Sequence, residues 1–94
     1  MKSSFVYIIS NTRRTTFYIG VTADLHARIS QHKNREGASF TSRYNLVDLV
    51  YYEVFSDIEL AIQREKQLKR WHRDWKINLI RSQNPDMVDL YYNL

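Results

Sequence analysis

"TTFYIGVTADLHARISQHK", residues 15–33, changes its pattern halfway along. Its first half carries the β-branched and aromatic run "TFYIGV", which reads as a strand, whereas Leu25 and Ile29 then define the inner side of a helix. A strand runs straight into a helix. Gly20 stands at the junction, directly after Phe17, Tyr18 and Ile19, in a chain with only two glycines. Such a glycine marks a tight or crowded strand end, where a backbone or a ligand comes close. Thr22 is placed to cap a helix from about Ala23 to Arg35, with Asp24 favourable in its first turn and Gly37 as its stop.

Upstream, "SFVYIIS" (4–10) is another strand, and the polar "NTRRT" between the two runs predicts an antiparallel hairpin. Downstream, "GASFTSRYN" reads as loop and "LVDLVYYEVF" as a third strand. "SDIE", Ser56 to Glu59, reads as a capping box opening a second helix that runs to about Arg70. A third helix, about Asp74 to Ser82, ends before "NPD", where Pro85 blocks continuation. "MVDLYYNL" is left to pack back on the domain or to form one more short element. The order predicts a small α+β domain, residues 1–94, with a three-stranded antiparallel sheet flanked by helices that cover at least one face.

Ninety-four residues with 44% hydrophobic content, seven Tyr, four Phe and two Trp can furnish a modest core. The absence of cysteine excludes disulfides, thiol nucleophiles and Cys-based zinc sites. No run approaches the roughly 20 apolar residues of a membrane span, and no signal-peptide pattern opens the chain, so a cytoplasmic protein with no membrane partner is expected. A net charge of +4 and a pI near 9.5 favour polyanionic partners. Arg64, Lys66, Lys69, Arg70, Arg73 and Lys76 concentrate the positive charge in one segment.

Helical periodicity places Ile58, Ala61, Ile62 and Leu68 in one apolar stripe of the second helix, with Glu65 within about 20° of Ile58. A carboxylate aimed at the core needs a metal ion, a basic residue or a solvated cleft. Lys69, four residues on, is the local basic candidate. In the first helix His32 projects near the inner side and Arg28 flanks it, one turn apart. Along the strands, Phe5, Tyr7 and Ile9 share one face, Val6 and Ile8 the other, and Tyr18 shares a face with Gly20. Tyr7 and Tyr18 become cross-strand neighbours if the register permits. Two phenols, a guanidinium, an imidazole and a carboxylate suit phosphodiester hydrolysis.

The ordered set "FVYII", "FYIGVT", "ADLHARISQHK", "FTSRY", "LVYYE", "AIQREKQLKRW" and "NPDMVDLY" resembles the GIY-YIG nuclease superfamily. Within it, the chain is similar to the small stand-alone bacterial branch related to the N-terminal incision domain of nucleotide excision repair. The resemblance runs from Phe5 to about Tyr91. By position it assigns Tyr7 and Tyr18 as the motif tyrosines, Gly20 as the glycine of "YIG", Arg28 as the helix arginine, His32 as the His/Tyr position and Glu65 as the metal-binding glutamate. Asn84 corresponds loosely to a late asparagine motif. Phe5 stands where the first motif has glycine.

The resemblance implies a metal-dependent DNA endonuclease with little sequence specificity, serving DNA repair or recombination. Magnesium or manganese would be bound mainly by Glu65, water and phosphate. Arg28 would stabilise the transition state, Tyr7 or Tyr18 would help deprotonate water, and His32 would orient or relay the proton. An ordinary tyrosine titrates near 10, so either phenol would need a cation beside it. On one flank of the second helix Lys66, Arg70 and Arg73 are the DNA-binding candidates. Three phosphate contacts would give a salt slope of roughly −2.7 for duplex DNA. The competing expectations are a non-catalytic nucleic-acid-binding module of the same fold and a subunit activated by a protein partner that supplies specificity.

Overall fold

The structure, a computed structural model, describes residues 3–35 and 39–94. Strands β1 (Ser4–Ser10) and β2 (Phe17–Thr22) form the antiparallel hairpin, and β3 (Asp48–Phe55) pairs antiparallel with the other side of β1. The sheet order is therefore β2-β1-β3. Being central, β1 is covered on both faces, which is why Val6 to Ile9 is an unbroken apolar and aromatic run.

Helices α3 (Ile58–Lys69) and α4 (Arg73–Gln83) close over Val6, Ile8, Ile19 and Val50 with Ala61, Leu68 and Ile80. On the opposite face α1 (Leu25–Lys33) sets Leu25 and Ile29 against Tyr7, Ile9 and Leu49. The alternation predicted for the strands is the one observed, and helices cover both faces of the sheet.

Several boundaries differ from expectation for identifiable reasons. Asp24, not Thr22, caps α1: its carboxylate accepts from the Ala27 N–H, while the Thr22 hydroxyl accepts from the Asp24 N–H. The helix stops at Lys33 because Arg35 turns left-handed, φ 59°, and its N–H bonds back to the His32 carbonyl. Gly37, the expected stop, lies outside the described residues. Asp57 rather than Ser56 caps α3, accepting from the Glu59 N–H. The expected loop contains a short helix, α2 (Ser39–Arg43), whose "FTSR" sequence has too few apolar residues to show a helical period.

The C-terminal segment packs back on the domain and ends in a 3-10 turn, Tyr91–Asn93. Asp89 anchors it by accepting from the Leu49 and Tyr91 N–H groups and pairing with Lys33 at 2.6 Å. Burial opposes ionisation of Asp89, yet Lys33 and the two N–H donors outweigh it and hold the carboxyl below its ordinary pKa. Arg14, itself left-handed at φ 58°, ties the hairpin loop to Asp48 and to the Met87 carbonyl.

The register explains Gly20. Tyr7 pairs with Gly20, and Tyr18 with Ile9, so Tyr18 is the diagonal rather than the direct neighbour of Tyr7. A Cβ on Gly20 would lie 2.4 Å from both Cζ and Oη of Tyr7. Tyr7 is buried and cannot swing clear. Gly20→Ala is therefore expected to destabilise the domain by about 1–3 kcal/mol through overpacking, read as a lower midpoint in urea unfolding with an unchanged slope. An unchanged midpoint would show that the ring has another place to go.

Candidate active site at the hairpin and first helix

Tyr7, enclosed in the centre of the sheet, must find partners for its hydroxyl, and α1 supplies two. His32, 1% exposed, places Nε2 3.0 Å from the Tyr7 hydroxyl. Arg28, one turn earlier, donates from Nε to the same oxygen at 3.4 Å. Arginine can only donate, so the phenol oxygen accepts from Arg28 and directs its proton to His32. His32 then carries its own proton on Nδ1, which lies 3.1 Å from the Thr41 hydroxyl. The result is a donor chain, Arg28 to Tyr7 to His32 to Thr41, running from half-exposed to fully buried.

Its electrostatics follow from burial and from Arg28. Desolvation raises the Tyr7 phenol, with Arg28 opposing and Tyr18 and Glu65 reinforcing. Desolvation first and Arg28 second lower His32 to about 4. Both groups are neutral near pH 7. Among the described residues Arg28 has no carboxylate partner, its Nη1 donating instead to the Gln31 amide oxygen.

Tyr18 borders the same space, its ring centroid 6.1 Å from that of His32, with the Lys69 ammonium 5.8 Å from the same Tyr18 centroid. Lys69 also pairs with Glu65 at 3.2 Å. Glu65 is thus at the rim, not in the core: its side chain is 20% exposed. Ile58 and Ile62, expected beside it in the apolar stripe, are 41% and 38% exposed. Only Ala61 and Leu68 of that stripe are buried, and Glu65 projects about 50° from the seam they define. Of the three compensations a core-directed carboxylate could have, the structure shows the basic residue, in a partly solvated setting.

Tyr7, Tyr18, Arg28, His32 and Glu65 are therefore brought together, with Gly20 making the room. Phe5 flanks the cluster as a partly buried member of the same apolar face. Asn84 is not among them. It is the C-cap of α4, its backbone N–H donating to the Ile80 carbonyl, and its side-chain amide ties the following turn to β3, donating to the Val50 and Val88 carbonyls and accepting from the Val88 N–H. Nor do the three basic candidates form one flank: α3 ends at Lys69, and Arg73 opens α4, stacking on Phe17 and donating to the Thr15 carbonyl. Lys66 and Arg70 remain together on one groove. Thr41 is the residue that reading the sequence missed; it stands within "FTSRY", but only its contact with His32 reveals what it does.

No group of three or more acidic, His or Cys side chains able to cage a metal occurs among the described residues. A single rim carboxylate nevertheless fits magnesium, which keeps several waters and takes one or two carboxylates plus substrate phosphate. The Glu65–Lys69 pair is a partly solvated i,i+4 contact of small worth, so it presents little barrier to exchange. No helix among the described residues is long and apolar enough to cross a membrane.

The profile of the GIY-YIG catalytic domain matches residues 3–78. A UPF0213 protein of Staphylococcus epidermidis is 34% identical over 80 residues, covering 85% of this chain and 96% of the relative. One from Staphylococcus aureus is 35% identical over 81 residues, covering 86% and 98%. The solution NMR structure of the UPF0213 protein BH0048 from Bacillus halodurans superimposes with a TM-score of 0.58 at 27% identity, covering 89% of this chain and 88% of that one.

The buried imidazole makes stability depend on pH. An unfolded His32 takes up a proton near 6.5, whereas the folded one stays neutral to about 4. The unfolded state therefore binds more protons between those values, and stability falls as pH falls from 6.5 to 4, by up to about 3 kcal/mol, then levels for this group. Urea unfolding of the protein and of His32→Gln across this range should show the steep dependence only in the parent. Equal slopes would remove His32 as its source.

Proposed function

The chain belongs to the GIY-YIG family, a nuclease family, and from that premise we propose that it is a metal-dependent DNA endonuclease with little sequence specificity. The observation that carries this reading is the donor chain Arg28–Tyr7–His32–Thr41 with Glu65 at its open edge. Each group in it has a role in phosphodiester hydrolysis.

Arg28 supplies the charge. Its guanidinium is half-buried and unpaired with any described carboxylate, so a phosphate can occupy it without displacing an ion pair. Preorganised positive charge of this kind stabilises the negative charge that develops on phosphate oxygens. Magnesium or manganese held by Glu65 would add positive charge at the same phosphate.

The phenol and imidazole manage the proton. The hydrogen bond from Tyr7 to His32 favours Tyr7 over Tyr18 as the group that faces the attacking water. As water attacks, Tyr7 takes the water's proton and passes its own to Nε2 of His32, so the phenol ends neutral and His32 ends charged. This route avoids a free phenolate, which burial makes costly. Arg28 opposes the charging of His32, and the negative phosphate arriving at Arg28 reduces that opposition. Thr41 holds the ring with Nε2 free to accept.

Lys66 and Arg70 would position DNA through phosphates rather than bases. With Arg73 engaged on Phe17 and Thr15, two contacts remain, and the expected salt slope for duplex DNA becomes roughly −1.8.

The test is nicking of supercoiled plasmid and of a branched duplex with magnesium or manganese. Glu65→Gln and Arg28→Ala, purified identically and folded by circular dichroism, are each expected to lower the rate by roughly 100-fold or more. Tyr7→Phe should lose about 100-fold as well, because it removes the proton carrier. Binding without cleavage in the parent protein, across metals and substrates, would instead favour the binding module. Activity restored only by a cellular partner would favour the partner-dependent subunit.

A further inference from the structure

Both tryptophans of the chain lie together beyond the C-terminal end of α3, Trp71 packed against the edge of the core and Trp75 outside it. Trp71 is partly buried, with the Arg64 guanidinium 5.2 Å over its ring. Trp75, in the first turn of α4, is 55% exposed. Its ring neighbours, Trp71 and His72, both meet it near right angles, at 81° and 80°. Among the described residues nothing is stacked flat on it.

The tryptophans form one wall of a groove of about 520 Å³ whose other residues are Gln63, Lys66, Gln67 and Arg70. No ion pair occupies Lys66 or Arg70 among the described residues. An indole left exposed beside two unpaired cations and two amides, with no carboxylate in the lining, is a poor surface for solvent and a good one for an aromatic anion. Nucleotides are such ligands.

The groove is also connected to the candidate active site. At about 100° per residue, Lys69, Lys66 and Arg70 lie roughly 40°, 100° and 140° around α3 from Glu65, all in the same sense. They form a basic track from the carboxylate to the tryptophans. A duplex is too stiff and too wide to bend around a single helix and insert a base, whereas a single strand can do both.

We infer that Trp75, with Lys66 and Arg70, is a stacking site for an unpaired nucleobase and its phosphate, so that the protein prefers DNA with a single-stranded segment beside the point of cleavage. The preference for DNA rests on the nuclease reading, but the stacking site is tested without cleavage. A base covers the open face of Trp75, Lys66 and Arg70 take the flanking phosphates, and Gln63 and Gln67 offer amides to the base edge without fixing its identity. Stacking of this kind is tolerant of sequence, because every base has a π-face.

The experiment measures binding of a fluorescein-labelled oligothymidylate 12-mer by anisotropy without divalent metal, against an abasic 12-mer of equal charge and a duplex. The parent protein is expected to bind the oligothymidylate about 5- to 100-fold more tightly than the abasic strand, and quenching of intrinsic tryptophan fluorescence should follow the same curve. Trp75→Ala, exposed enough to leave the fold intact, should abolish that difference while leaving abasic binding unchanged. Trp75→Phe should restore most of it. Equal affinity for the oligothymidylate and the abasic strand, stronger binding of the duplex, an unaltered Trp75→Ala or binding of no nucleic acid would each overturn the inference. A protein that stacks bases yet never nicks DNA would keep this site and lose the hydrolytic reading; one that nicks DNA with no base-dependent binding would do the reverse.

Discussion

The contact between the Tyr7 ring and the bare backbone of Gly20 is the constraint from which the site follows. β1 is the middle strand, so a side chain on either of its faces is enclosed. A tyrosine there brings a hydroxyl into the interior, where an unmet donor costs on the order of 1–3 kcal/mol. The ring finds space only because its cross-strand partner lacks a Cβ, and its oxygen finds partners only because α1 follows β2 immediately and presents Arg28 and His32. Hairpin register, glycine and helix docking are thus one requirement, not three.

That requirement was legible because it is written in local periods. Alternation in the strands put Tyr7, Tyr18 and Gly20 on a common face, and the helical period put Arg28 and His32 beside Leu25 and Ile29; both agree with the structure. Glu65 was legible as an anomaly but not as a place. A stripe containing Ile58 and Ile62 put the carboxylate near its centre, whereas α3 sits on the sheet through Ala61 and Leu68, and the true seam is rotated away from the isoleucines. Helical wheels know angles within a helix but not how it lies on a sheet. Arg73 departs from the expected flank for a related reason: a break after Arg70 resets the angular count, and the guanidinium folds back over Phe17. Thr41 and Asn84 have roles that depend on long-range contacts with His32 and Val50, for which one sequence carries no period at all.

The cluster also balances its charges unevenly. The interior members, Tyr7 and His32, are held neutral by desolvation, while the charged members, Arg28, Glu65 and Lys69, stay at the rim where water still reaches them. Such an arrangement avoids the penalty of a buried ion and still leaves a cation with no anion of its own. Arg28 is the place where the balance is incomplete, and its contact with Tyr7 makes the phenol and imidazole respond to any charge that arrives there.

α3 shows how little sequence is needed to join these functions. Its seam, Ala61 and Leu68, holds the helix to the core, and the two residues flanking that seam are charged in opposite sense. On one side Arg64 locks to Glu53 and covers Trp71; on the other Glu65 pairs with Lys69 above Tyr18. The first pair fastens the helix to β3. The second is the weaker and more open of the two, since Lys69 is half-exposed and makes a single contact with the carboxylate, whereas Arg64 donates three times to Glu53. Because both flanks are rigidly spaced by the helix, fixing the Arg64 side also fixes Glu65 relative to Tyr7. The carboxylate can therefore exchange partners without the scaffold moving, which is what a site at a rim requires.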